Sequence, residues 1–166
     1  DTNPDFTYGL TGNFRWKNLT LSLFFQGTYG NDIFNANLTN ISMQSVSNIP
    51  KFAYESRWTP DNTENAKWPR ATMAQTREWR ISDRHVEDGS YLKLKTINLD
   101  YNFGSPCKGI ENLTVFGTVN NVFTITGYSW YDPDVNTFGQ DASRRGVDIY
   151  SYPASRTFSL GVKVTL

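Results

Sequence analysis

Thr157-Phe158-Ser159-Leu160-Gly161-Val162-Lys163-Val164-Thr165-Leu166 alternates without a break. Phe158, Leu160, Val162, Val164 and Leu166 fall on one side, and Thr157, Ser159, Gly161, Lys163 and Thr165 on the other. Successive side chains of a strand point to opposite faces, so this pattern predicts a β-strand with one apolar and one wet surface. A regular strand that runs to the last residue quoted suits a sheet that closes on itself, as an outer-membrane barrel does.

The same alternation recurs upstream. Residues 6–16 put Phe6, Tyr8, Leu10, Phe14 and Trp16 on one face, and residues 19–29 put Leu19, Leu21, Leu23, Phe25 and Tyr29 on one face, with Phe24 as an exception. Lys17-Asn18 between them predicts a tight hairpin. Residues 91–103 alternate cleanly over Ile97, Leu99, Tyr101 and Phe103, while Leu92 and Leu94 have the opposite parity. A bulge, or emergence from a bilayer, accounts for such a change. Residues 113–125 give the weakest pattern, because Val115 and Phe116 are both apolar. The terminal strand covers 155–166. Each segment is long enough to cross a bilayer at a tilt, for which about 9–11 residues suffice.

The connections alternate in length. Residues 17–18 and 104–112 are short, whereas 30–90 and 126–154 are long. Outer-membrane barrels have short periplasmic turns and long extracellular loops, and all four connections fit that order. Phe6, Tyr8, Tyr29 and Tyr128 then fall near an outer interface, and Trp16, Tyr101 and Phe103 near an inner one, as aromatic girdles require. The same rings could instead fill a soluble β-sandwich, whose loop tryptophans would bind carbohydrate. Five strands cannot close a membrane barrel, so the barrel reading requires further polypeptide.

Composition excludes several classes. The 166 residues carry 16 basic and 16 acidic side chains, giving no charge signal for nucleic acid. Mean hydropathy is -0.52, and no apolar run approaches the roughly 18 residues of a membrane helix. A single cysteine and a single histidine argue against an internal disulfide and against a zinc site. Asp132, Asp134, Asp141 and Asp148 lack the calcium-loop pattern, no nucleophile motif accompanies His85, and Glu87 and Asp88, adjacent on a strand, point apart. No enzyme, metal or cofactor is expected.

Several stretches resemble the SusC/RagA family of TonB-dependent outer-membrane transporters. They are Asn3-Pro4-Asp5-Phe6-Thr7-Tyr8-Gly9, Leu21-Ser22-Leu23-Phe24-Phe25-Gln26-Gly27-Thr28-Tyr29-Gly30-Asn31-Asp32, Arg57-Trp58-Thr59-Pro60 followed by Pro69-Arg70, and Glu87-Asp88-Gly89-Ser90-Tyr91-Leu92-Lys93-Leu94-Lys95. Asn120-Asn121-Val122-Phe123-Thr124-Ile125-Thr126, Tyr131-Asp132-Pro133-Asp134 and Tyr152-Pro153-Ala154-Ser155-Arg156-Thr157-Phe158 continue the series. The resemblance implies an all-β fold: the last five strands of a 22-stranded antiparallel barrel with a plug, in the outer membrane of a Gram-negative bacterium. It implies import of oligosaccharides or peptides with a SusD-like lipoprotein lid, energised through TonB by way of an N-terminal part outside this chain.

On that reading Trp58, Trp68, Trp79, Trp130 and Tyr131 lie on extracellular loops. There they could stack on substrate or pack the loops onto themselves or the lid. Arg57 is expected to be structural, paired with a loop carboxylate. Arg15, Asp100 and Lys163 face the lumen; Leu21, Leu23, Ile97, Leu99, Phe158, Leu160, Val162 and Val164 face lipid. A cationic side chain on the lipid face at mid-bilayer costs about 2–4 kcal/mol. Leu160→Arg is therefore expected to abolish assembly of the full-length transporter in the outer membrane, while Ser159→Arg leaves the yield of heat-modifiable barrel nearly unchanged. Equal tolerance of the two would reverse the assigned facing.

Overall fold

The structure, a computed structural model, describes residues 1–41, 48–72, 81–135, 137–139 and 141–166. Five long strands form one antiparallel sheet: β1 (Phe6–Trp16), β2 (Leu19–Tyr29), β5 (Tyr91–Gly104), β6 (Asn112–Thr126) and β8 (Thr157–Thr165), in the spatial order β1-β2-β5-β6-β8. Three short strands within the long connections make a second sheet: β3 (Asp32–Asn35), β4 (Val86–Asp88) and β7 (Val147–Asp148), in the order β4-β3-β7. The periodicity did not reveal these short strands, because two to four residues are too few to show alternation.

Register carries the alternation across the whole sheet. Phe14, Leu21, Leu99, Gly117 and Leu160 form one cross-strand row, and Gly12, Leu23, Ile97, Val119 and Phe158 the next. Val162 and Val164 continue this surface opposite Val115 and Leu113. The intervening rows are polar. Asn13, Ser22, Asn98, Thr118 and Ser159 share one, and Arg15, Thr20, Asp100, Phe116 and Gly161 another. Lys163, opposite Thr114, lies on this polar face with Arg15 and Asp100. Side chains bond along it: Thr118 Oγ1 donates to Asn98 Oδ1 at 2.6 Å, and Thr96 Oγ1 to Asn120 Oδ1 at 3.0 Å.

The apolar face is barest along β8. Phe158, Leu160 and Val162 are 74%, 83% and 61% exposed, and among the described residues no second sheet packs on them. A soluble sandwich would bury these side chains against a facing sheet. The buried cluster lies instead in the loops, where Leu38, Ile41, Ala53 and Trp68 pack together.

Both apolar exceptions on the polar face have a physical account. The Phe116 ring covers its cross-strand neighbour Gly161, where an added Cβ would meet Cζ at 2.4 Å. Phe24 lies similarly against Gly9, with Cε2 3.6 Å from the position of a Cβ. Aromatic rings laid on strand glycines compensate for the side chain that glycine lacks.

The parity change in β5 is a bulge. Phe24 pairs with Thr96 and Phe25 with Leu94, so Lys95 has no partner on β2. Leu92 and Leu94 therefore join Ile97 and Leu99 on the apolar face, and Tyr91 and Lys93 turn to the polar one. On β6 the matching irregularity spans Asn121 and Val122, with Asn121 at φ 52°. Arg156 donates to both of their carbonyls, which joins two of the stretches that carry the family resemblance.

Both short turns lie at one end of the sheet and both long connections at the other. The tight turn places Lys17 at φ 52°, and Gly104 and Gly109 adopt positive φ in the second turn. Gly161→Ala should displace the Phe116 ring, for which overpacking costs about 1–3 kcal/mol. The expected effect is a lower unfolding midpoint in detergent, with Phe116→Ala/Gly161→Ala less destabilised than the sum of the single changes.

Candidate functional site

At the long-loop end, Glu87-Asp88-Gly89-Ser90 joins the two long connections. Glu87 Oε1 accepts from Asn35 Nδ2 at 2.9 Å and from Ser129 Oγ at 2.8 Å, and Oε2 accepts from Ser129 N at 2.8 Å. Asp88 serves a different set: its Oδ1 accepts from Ser90 N at 2.8 Å. Hydrogen bonds from the Ser90 side chain and backbone hold the Asp88 carboxyl below its ordinary range. Gly89 donates to Asn31 O at 2.8 Å, and a Cβ there would lie 2.7 Å from Ile33 Cγ1. Ser90 Oγ accepts from Gly30 N at 3.0 Å. Each residue of the stretch thus has a separate structural task.

The network extends through buried polar groups. Asn37 Nδ2 donates to Asn35 Oδ1 at 3.1 Å and to Asp148 O at 3.3 Å. Tyr128 Oη donates to Asp148 Oδ2 at 2.6 Å. Burial, reinforced by that bond, pushes the Tyr128 phenol far above its usual pKa, so it remains a neutral donor. Tyr128 is therefore a buried tie within the second long connection and not a girdle residue. With β3 pairing β4 on one edge and β7 on the other, the two long connections share one polar interior.

Lys93 fastens the second loop to the sheet. Its Nζ lies 2.8 and 3.1 Å from the two carboxylate oxygens of Asp132 and 3.7 Å from Asp134 Oδ2. The Lys93 side chain is 3% exposed. Lys95, at the bulge, lies 3.5 Å from Asp134. The Asp132-Pro133-Asp134 turn is thereby drawn over the polar face of β5.

The aromatic residues singled out from sequence are dispersed by the fold. Trp68 is buried with Leu38, Ile41 and Ala53, under the Arg84 guanidinium at 5.0 Å. Trp130 packs half-buried on the same cluster and meets Tyr131 edge-on at 5.4 Å. Tyr131 is 70% exposed and Trp58 38%. Trp79 lies outside the described residues. Arg57 stacks over Tyr54 at 3.7 Å and donates to its carbonyl, in place of the expected carboxylate.

Buried His85 completes the loop interior. Desolvation, followed by the adjacent Arg84 charge, lowers its imidazole pKa below the ordinary value. Among the described residues no three His, Cys, Asp or Glu side chains are grouped to hold a metal ion. Three recesses share Asp134. One of about 310 Å³ is lined by Phe138, Arg144 and Arg145, one of about 130 Å³ by Thr28 and Tyr91, and one of about 390 Å³ by Tyr150 and Tyr152. Sequence reasoning did not select Lys93, Arg145, Tyr150 or Tyr152 as site residues; the available signal was that Lys93 and Tyr152 lie within stretches that carry the family resemblance.

These features define a segment of β-barrel wall, with one bare apolar face and an ordered loop assembly at one end. No protein-family model matches the chain. It is 33% identical over 172 residues to the TonB-dependent receptor P3 of Formosa agariphila, a match that covers 99% of this chain and 16% of that protein. It is 27% identical to the TonB-dependent receptor SusC of Bacteroides thetaiotaomicron, over 96% of this chain and 15% of that protein. Among solved structures, the RagAB peptide importer in its open-open state superposes with a TM-score of 0.80 at 22% identity, over 99% of this chain and 17% of that one. Its closed-closed state gives a TM-score of 0.74. The chain belongs to the SusC/RagA-like TonB-dependent transporters, and spans about a sixth of the length of the relatives it matches.

Removing one partner of a buried ion pair costs about 3–5 kcal/mol, because the other charge is left desolvated. Lys93→Met in the full-length transporter is expected to release residues 128–135 and speed their amide exchange at least tenfold. The neutral double change Lys93→Met/Asp132→Asn should restore most of the protection.

Proposed function

We propose that this chain supplies barrel wall and extracellular loops to an outer-membrane TonB-dependent importer of oligosaccharides or peptides, in a Gram-negative bacterium, working with a SusD-like surface lipoprotein as its lid. The observation that carries the reading is the sheet itself. Five strands present an unbroken apolar surface to one side and a hydrogen-bonded polar surface to the other. A spanning sheet needs this arrangement, because hydrocarbon offers no partner to backbone or side-chain polar groups. The relatives' names and the solved RagAB peptide importer support the same conclusion.

In this reading Leu21, Leu23, Ile97, Leu99, Phe158, Leu160, Val162 and Val164 touch lipid, while Arg15, Asp100 and Lys163 face the lumen or the plug. The remaining barrel strands pair with the β1 and β8 edges, and TonB acts through parts of the transporter outside this chain. The fused loops stand outside the cell, and of the aromatic residues singled out from sequence the exposed Tyr131 and Trp58 are the ones available to substrate or lid. Trp68, packed inside the loop, shapes that surface from beneath. Transport requires no chemistry from these residues.

The test uses the full-length transporter. It should partition into detergent-extracted outer membrane, copurify with a lipoprotein, and support uptake only in cells with functional TonB. Recovery in the aqueous fraction would favour a soluble carbohydrate-binding module, and uptake indifferent to TonB would refute active import.

A further inference from the structure

Arg145 stands apart from the charged side chains around it. Lys93 is paired with Asp132, Lys95 with Asp134, and Arg144 with Asp141. Asp141 also accepts from Ser143 N at 3.0 Å and from Ser143 Oγ at 2.6 Å. The Arg145 guanidinium has only a neutral partner among the described residues, the Asn3 amide oxygen, 3.2 Å from Nη1. A guanidinium has five N–H donors in a planar fork suited to carboxylates, so most of this capacity is open.

Its position gives that capacity a direction. Arg145 lines both the cavity of about 310 Å³ and the adjoining recess of about 130 Å³, as does Asp134, whose charge is met by Lys93 and Lys95. Thr28 and Tyr91 also line the smaller recess, and both belong to the polar face of the main sheet by register. The recess therefore opens onto the surface that carries Arg15, Asp100 and Lys163. The backbone beside Arg145 is fixed: Gly146 has φ 72°, and a Cβ there would lie 2.8 Å from Thr2. Phe138, beneath Arg144 at 4.9 Å, gives the larger cavity an apolar wall.

We propose that this recess receives a carboxylate of the transported ligand, held by Arg145. The proposal rests on the import reading and adds the charge of the cargo. The carboxylate could come from a uronic acid of an oligosaccharide or from a peptide, and the test separates these sources. Two matched probe pairs are offered to the full-length transporter with its lipoprotein: a uronic-acid oligosaccharide and its carboxyl-reduced twin, and an acidic peptide pool and its amidated twin. At least one acid form should bind roughly tenfold or more tightly than its neutral twin, since charge-assisted bidentate contacts are the strong ones. The pair that shows the difference names the source. Arg145→Gln keeps a donor for Asn3, so the fold is retained; it should bring the acid-to-neutral ratio close to one, while Arg145→Lys leaves part of it. Equal binding of both twins by the unaltered transporter, no binding of any acid probe, or an undiminished ratio in Arg145→Gln would overturn the assignment. TonB-dependent uptake with an unchanged ratio would remove Arg145 alone, whereas TonB-independent uptake would remove the import reading beneath it.

Discussion

One unpaired residue, Lys95, decides how the loops sit on the sheet. Without that bulge, Lys93 would share the parity of Ile97 and Leu99, and an ammonium would stand on the apolar face. The extra residue turns Lys93 and Tyr91 to the polar face and keeps Leu92 and Leu94 with their apolar neighbours. Lys93 can then meet Asp132 at 2.8 Å, and the second loop is anchored at the point where it leaves the strands. Bulges commonly re-aim a side chain in this way. Its counterpart on β6, held by Arg156, keeps that strand's Phe123 and Ile125 on the apolar side.

The loop assembly is stabilised differently from the sheet. The sheet consists of backbone ladders whose edge-strand side chains are exposed and whose inner-strand side chains are mostly half-buried by their neighbours, so its apolar surface waits for another phase. The loops have their own small core around Trp68 and a buried polar network that runs from Glu87 through Asn35 and Asn37 to Asp148 and Tyr128. Buried polar groups are costly when unpaired and rigidify when satisfied. A network with members in both long connections couples them, so a contact made with one bears on the other. Glu87 is central, because its two oxygens serve β3 and the start of the second loop together.

Alternation alone was enough to reveal the long strands and their facing. A period of two is a local property that survives wherever a strand meets different media on its two sides. The Leu92/Leu94 parity change was also visible, but a bulge and an exit from the bilayer give the same pattern, and only the pairing of Phe25 with Leu94 separates them. Phe24 and Phe116 read as exceptions until their rings were seen on Gly9 and Gly161, contacts made across strands and invisible along one.

The loops were legible only as long, aromatic and polar. Trp58, Trp68, Trp130 and Tyr131 look equivalent in sequence, yet Trp68 is buried and Tyr131 exposed, because burial depends on what folds back over each ring. Lys93 and Asp132, or Tyr128 and Asp148, meet across intervening strands and turns that carry no periodic signal. The sequence by itself determined a sheet with one apolar and one polar surface, since side-chain direction follows from strand geometry. The tertiary structure alone decided which loop residues lie on the surface and which charges remain without a counter-ion, since those depend on contacts between distant segments.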